Sequence, residues 1–167
     1  MKLTTVWGVL PVLIVKSKDR YGHANGPVVR LPENASVELR AHELFHVKQF
    51  YASAGLVAAV SGGIWLCITT FMTPDMFKTL GMTELWAIAT AFVMLFWGLI
   101  WSNERMQWRR ECAAYGESAR VGEDFNKING YARILSTNDE LYGDLTHLEF
   151  VETRDLIEKR ALDGGLF

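Results

Sequence analysis

Charge disappears from the chain after Lys48 and returns only at Asp75, leaving QFYASAGLVAAVSGGIWLCITTFMTP apolar on every face of any helix it forms. A helix of about 20 residues crosses a bilayer, so this run predicts a first transmembrane helix over residues 52–73. A second uncharged stretch, LWAIATAFVMLFWGLIWSN, predicts another over 85–103, with Trp86, Trp97 and Trp101 near its ends where indole rings favour the membrane interface. A soluble domain of this length could hardly bury two helices that are apolar all round. The pattern therefore predicts a transmembrane hairpin with the short connection TPDMFKTLGMTE.

Before the first span the pattern changes. Valine-rich runs at Val12 to Val15 and Val28 to Leu31 predict two short strands, separated by the turn-like SKDRYGHANGP. The whole apolar run from Val6 to Val15 is too short to span, contains Pro11, and predicts a strand or a membrane-surface segment rather than a cleaved signal peptide. Pro32, Asn34 and Ser36 mark a helix start, with Ser36 as cap and Glu38 in the first turn. No stop follows, so one helix is expected from Val37 to about Met72, with Gly55 or the Gly62 and Gly63 pair as places to bend. The second span likewise runs without a breaker into NERMQWRRECAAYGESARVGEDF. Near the end, Thr137 and Glu140 have capping-box spacing. Leu141, Leu145, Leu148 and Val151 then share a face of an amphipathic helix expected to end near Gly164. The fold class is thus mainly α with a small β element, as one membrane-anchored unit over residues 1–167.

Charge and cysteine content narrow the function. The 17 basic and 19 acidic residues form no long run of either sign, which argues against a nucleic-acid partner. Seven Lys and Arg precede the first span, nine follow the second, and Lys78 alone lies between, so both termini are expected in the cytoplasm. Cys67 sits in an apolar stretch and Cys112 among charges; neither a disulfide nor a paired-cysteine metal site is expected. Small residues at four-residue spacing (Ala54, Ala58, Gly62; Gly55, Ala59, Gly63; Ala87, Ala91) give faces through which helices, including those of a homo-oligomer, approach closely in lipid.

The chemistry lies in HELFH, residues 42–46. Histidines four apart on a helix present both imidazoles to one Zn²⁺, and Glu43 beside them is placed as general base for a zinc-activated water. A catalytic zinc takes three protein ligands and keeps one position open. No third histidine follows at short spacing, so a carboxylate from a later helix is expected.

At this point the chain resembles the gluzincin metallopeptidases, whose HExxH is completed by a downstream glutamate. RRECAAY supplies Glu111 for that role. The hairpin between the two motifs is similar to that of the membrane-bound HtpX and CAAX-prenyl-protease family. The resemblance implies a zincin-like core with an inserted hairpin, one catalytic zinc on His42, His46 and Glu111, and endoproteolysis of a peptide or protein substrate at the cytoplasmic membrane surface. It also implies an edge strand beside the zinc helix that pairs with extended substrate, a role open to Val28, Val29, Arg30 and Leu31. A tyrosine or histidine donor to the oxyanion is implied as well, with Tyr115, His147, Tyr131 and Tyr142 as candidates. Tyr115 stands where that family commonly has an aspartate, four residues after the glutamate ligand.

Depth favours Glu111 over Glu104. Along helices leaving the bilayer near Ala52 and Trp101, His46 and His42 lie about 9 and 15 Å out, Glu111 about 15 Å, and Glu104 only about 4.5 Å. Two other classes compete: a non-catalytic hairpin protein acting as a pore or assembly component, which leaves HELFH without a role, and a zinc-binding homologue without turnover.

Overall fold

The computed structural model describes residues 1–18, 21–71, 81–137 and 150–164. The chain divides into two compact units, Met1–Tyr51 with Glu104–Phe167, and Ala52–Asn103. The described structure is mainly helical with one small sheet.

In the first unit four strands, β1 (Lys2–Val6), β2 (Leu10–Ser17), β3 (His23–Asn25) and β4 (Val28–Pro32), form a sheet in the order β1-β2-β4-β3. The valine runs become β2 and β4, which pair in parallel from Leu13↔Val28 to Ser17↔Pro32. Each gains an antiparallel neighbour, β1 and β3, that the pattern did not predict. The three residues of β3 have neither alternation nor branching to mark them, and cross-strand pairing alone makes them a strand.

Helix α1 (Val37–Phe71) begins as expected, with the Leu39 N–H donating to the Ser36 hydroxyl at 3.1 Å. Within its first four turns, Val47, Leu39, Leu44 and Tyr51 pack against Val6, Val12, Val29 and Leu31 of the sheet. Another stripe carries His42, Phe45 and Gln49, and Phe45 buries itself against Ala113 and Ala114 of α3 (Glu104–Val121). Alanines at 113 and 114 receive the Phe45 side chain there. Beyond α3, a 3₁₀ turn (Phe125–Lys127), α4 (Ile128–Thr137) and α5 (Phe150–Asp163) complete a second core around Trp108, Cys112, Leu135 and Ile157. A Cβ on Gly116 would lie 2.8 to 3.0 Å from Arg160, Ala161 and Ile157, so glycine there permits the α3–α5 approach.

The carboxy-terminal expectation is corrected in part. Gly164, at φ 67°, closes α5 with its N–H on the Arg160 carbonyl. Within its described residues the helix buries Thr153, Ile157 and Ala161, while Val151 of the expected face is exposed. Glu140, Leu141, Leu145 and Leu148 lie outside the described residues.

In the second unit, α1 continues to Phe71, and α2 (Met82–Ser102) returns through a connection whose residues 72–80 lie outside those described. Both helices are long and apolar enough to cross a membrane. Their hydroxyls fold back onto the preceding turn, as Ser61 to Val57 O (2.8 Å) and Thr70 to Leu66 O (2.7 Å) show, which satisfies polar atoms without water. The Trp65 and Trp86 rings meet at 4.3 Å. A Cβ on Gly55, Gly62 or Gly63 would meet nothing within 4 Å among the described residues, so these glycines make no close helix contact with them.

The expectation of an unbroken second helix is also corrected. Asn103 is extended (φ −68°, ψ 121°), α2 stops before it, and α3 starts after it. Asparagine is favoured at a helix N-cap and tolerates a backbone outside the helical region, so a break costs little there.

Candidate metal centre

The ligand-bearing part of α1 and helix α3 lie antiparallel in the first unit, as their cross-contacts show. Gln49 donates to the Arg110 carbonyl (3.3 Å), His46 meets Glu111, and Ser118 donates to the Glu38 carbonyl (3.2 Å). Lys48 reaches the buried Glu117 (3.4 Å), which Arg120 also holds at 2.7 Å. This register brings a carboxylate from α3 to the HELFH face.

Three ligand side chains converge. His42 Nε2 and His46 Nε2 are 3.1 Å apart, and each lies 3.3 Å from an oxygen of Glu111. His42, His46 and Glu111 thus form a cluster that could hold a metal ion, the one such cluster among the described residues. Tetrahedral zinc with nitrogen and oxygen ligands at about 2.0–2.2 Å has ligand edges of about 3.3–3.6 Å. The two histidine nitrogens are spaced close to such an edge and face different oxygens of the Glu111 carboxylate, and the donor set of two imidazoles and one carboxylate suits zinc with a fourth position left for water or substrate.

The surrounding hydrogen bonds select the tautomer of His46. Gln49 uses its amide NH₂ on the Arg110 carbonyl, so its Oε1 faces His46 Nδ1 at 3.0 Å and accepts from it. With the proton on Nδ1, neutral His46 presents an Nε2 lone pair to the cluster. His42 differs: its Nδ1 is buried without a hydrogen-bond partner among the described residues, and the Tyr115 ring lies 4.4 Å from its own. An aromatic ring thus occupies the neighbourhood of the first histidine, and Tyr131 stacks on Tyr115 at 4.7 Å.

Electrostatics follow from burial and crowding. Burial disfavours the imidazolium of His42 and lowers its pKa. Burial also opposes charge on His46, but Glu111, Glu43 and the Gln49 hydrogen bond outweigh it and leave that pKa raised. Burial works against the Glu111 carboxylate too, yet the charge of His46 and hydrogen bonds from both histidines hold it well below the usual carboxylate range. Glu43 is pushed up to about 7, chiefly by burial and further by the negative Glu111, against the opposing influence of His46 and the Ala24 backbone. Burial and Glu111 together push the Cys112 thiol far up, which leaves it inert.

The strand expected to receive substrate is not at the edge of the sheet. Val28, Val29, Arg30 and Leu31 belong to β4, which pairs with β2 along its length and with β3 through Val28, Val29 and Arg30, so those three have neighbours on both sides. The edge strand near Glu43 is β3. The Ala24 backbone hydrogen-bonds the Glu43 carboxyl, and a Cβ on Gly22 would lie 2.7 Å from Glu43 Cγ and Oε1. Gly22 therefore leaves the space in which Glu43 sits. His147 and Tyr142 lie outside the described residues, and His23 is exposed on β3 rather than in a loop. Gln49 and the Gly22–Ala24 segment went unread in the sequence. Gln49 had a signal, being three residues after His46 and hence one turn along the same face; Gly22 had none, because its neighbour is Glu43 across the fold.

Comparisons with protein-family models, with curated proteins and with solved structures give no match.

Proposed function

We propose that this chain is an integral-membrane zinc endopeptidase that hydrolyses peptide bonds at the membrane surface, akin to the HtpX and CAAX-prenyl-protease family. The observation that carries the reading is the convergence of His42 Nε2, His46 Nε2 and the Glu111 carboxylate at 3.1 to 3.3 Å, with Glu43 next to the first ligand in sequence. His42, His46 and Glu111 would hold a zinc ion that would supply Lewis acidity and acidify a bound water. Glu43 would take the proton released by the attacking water and return it to the leaving amine. Gly22 and Ala24 fix where that carboxyl stands. An extended peptide adding to the β3 edge would run past Glu43, which replaces β4 as the pairing strand in this reading. Tyr115, against the His42 ring, is the candidate oxyanion donor that lies at the site.

Glu43→Gln should retain zinc and abolish hydrolysis of an unfolded test protein in detergent, whereas His42→Ala or His46→Ala should lose both. Hydrolysis by Glu43→Gln at the parent rate would remove Glu43 from the mechanism, and a parent that binds zinc without cleaving would leave a metal protein without turnover.

Two helices long and apolar enough to cross a membrane, with 16 of the 17 basic residues outside their connection, support a cytoplasmic site with both termini inside. Cysteines placed at Asp75 or Thr79 should react with an impermeant reagent from outside. Protection there, with the termini labelled, would reverse the orientation.

A further inference from the structure

We infer that the tip of the β1–β2 hairpin, Trp7 and Val9, is a membrane-interface anchor that dips into the lipid headgroup region. The inference rests on the proposed membrane span but adds a second contact with lipid, made by the sheet.

Height comes first. Tyr51 is the last residue before the apolar stretch from Ala52, and its hydroxyl donates to the Pro11 carbonyl at 2.7 Å. Strand β2 starts at that level and runs the other way from α1, because its far end pairs Ser17 with Pro32, just before the helix start at Ser36. The turn preceding β2 is thereby held at the Tyr51 end of the first unit, where the chain runs on into the apolar stretch. The β3–β4 turn lies at the same end, since a Cβ on Gly26 would touch the Phe50 ring at 3.4 Å.

The chemistry of the tip fits that height. Trp7 is 50% and Val9 76% exposed, and no charge occurs from Leu3 to Val15. The turn is closed by the Val9 N–H on the Val6 carbonyl (3.3 Å), with Trp7 at φ 50° and Gly8 at φ 77°. Asparagine, aspartate or glycine suits the first of these positive-φ positions, and a bulky aromatic is strained in it. Folding of the soluble unit gains nothing from a half-exposed, strained tryptophan. Insertion into the interface does, because indole partitions there and the valine leaves water.

The full chain in phosphatidylcholine and phosphatidylglycerol vesicles tests the inference, with lipids carrying a nitroxide near the top of the acyl chain. An environment-sensitive fluorophore is placed on Val9→Cys or on Asn34→Cys, each in a Cys67→Ser background, and separately on native Cys67. Buried Cys112 stays unlabelled. Expected are blue-shifted, strongly quenched emission at 9, lipid-exposed emission at 67, and unshifted, unquenched emission at 34. Lipid exposure at 67 with none at 9 would overturn the anchor and leave the span standing. Water-like emission at 67 would overturn the span and the anchor with it, and equal quenching at 9 and 34 would show the whole unit lying on lipid rather than a tip inserting. If Val9→Cys does not fold, the label on Trp7→Cys decides in the same way.

Discussion

Removing the hydrogen-bond acceptor behind His46 tests the metal centre without touching a ligand. Gln49 is fully buried, receives the His46 Nδ1 proton at 3.0 Å and donates to the Arg110 carbonyl at 3.3 Å. Gln49→Leu keeps the bulk but leaves Nδ1 without its acceptor. The tautomer with Nε2 protonated, which cannot bind metal, is then no longer disfavoured. Partners of this kind change metal affinity by about 10–100-fold, or about 1.4–2.8 kcal/mol. The same change removes one hydrogen bond to the Arg110 carbonyl, which costs folding stability about 0.5–1.5 kcal/mol. Gln49→Glu separates the two effects, because a carboxylate still accepts from Nδ1 while losing the donor to Arg110. Zinc titrated into metal-free protein against a chromophoric chelator should show the loss for Leu and near-parent affinity for Glu. Thermal melts of the metal-free proteins should show both variants destabilised. A folded Gln49→Leu protein with parent affinity, or equal losses for Leu and Glu, would refute the tautomer argument.

Two further outcomes follow from the same contacts. Glu111→Gln should strongly weaken zinc retention while Glu104→Gln leaves it nearly intact, since Glu104 lies about 10 Å further along α3; metal content after dialysis checks this, and the reverse pattern would move the site. Glu38 is held down at about 2, mainly by its hydrogen bond from Lys127, against 4.5 unperturbed. Because the folded value is the lower one, its contribution is complete above about 4.5 and is lost as pH falls toward about 2. Parent and Glu38→Gln should therefore differ in stability at pH near 6 and converge over that window; a difference unchanged down to the lower limit would show that the ion pair is not its source.

Local pattern carried much of this protein. The charge-free runs specify two long apolar helices because length and composition alone decide whether a helix can cross a bilayer. Ser36 sets the start of α1 through a bond to a neighbour three residues away. The four-residue step from His42 to His46 puts two imidazoles together by helical geometry, with no help from the rest of the fold.

Tertiary structure decided everything that joins residues far apart in sequence. Glu111 was favoured by counting along a second helix assumed continuous, but Asn103 breaks that helix. What brings Glu111 to the histidines is the antiparallel register of α3 on α1, set by Phe45 against Ala113 and Ala114 and by the Ser118–Glu38 and Gln49–Arg110 bonds. Strand β4 reads as an edge because a valine run reveals burial and not the number of neighbours, and only pairing shows β3 outside it. Glu43 owes its raised pKa to burial and Glu111, and its placement to a glycine twenty-one residues away in sequence. Sequence periodicity fixes which residues share a face of one element; which elements meet, and at what register, depends on side-chain packing between them.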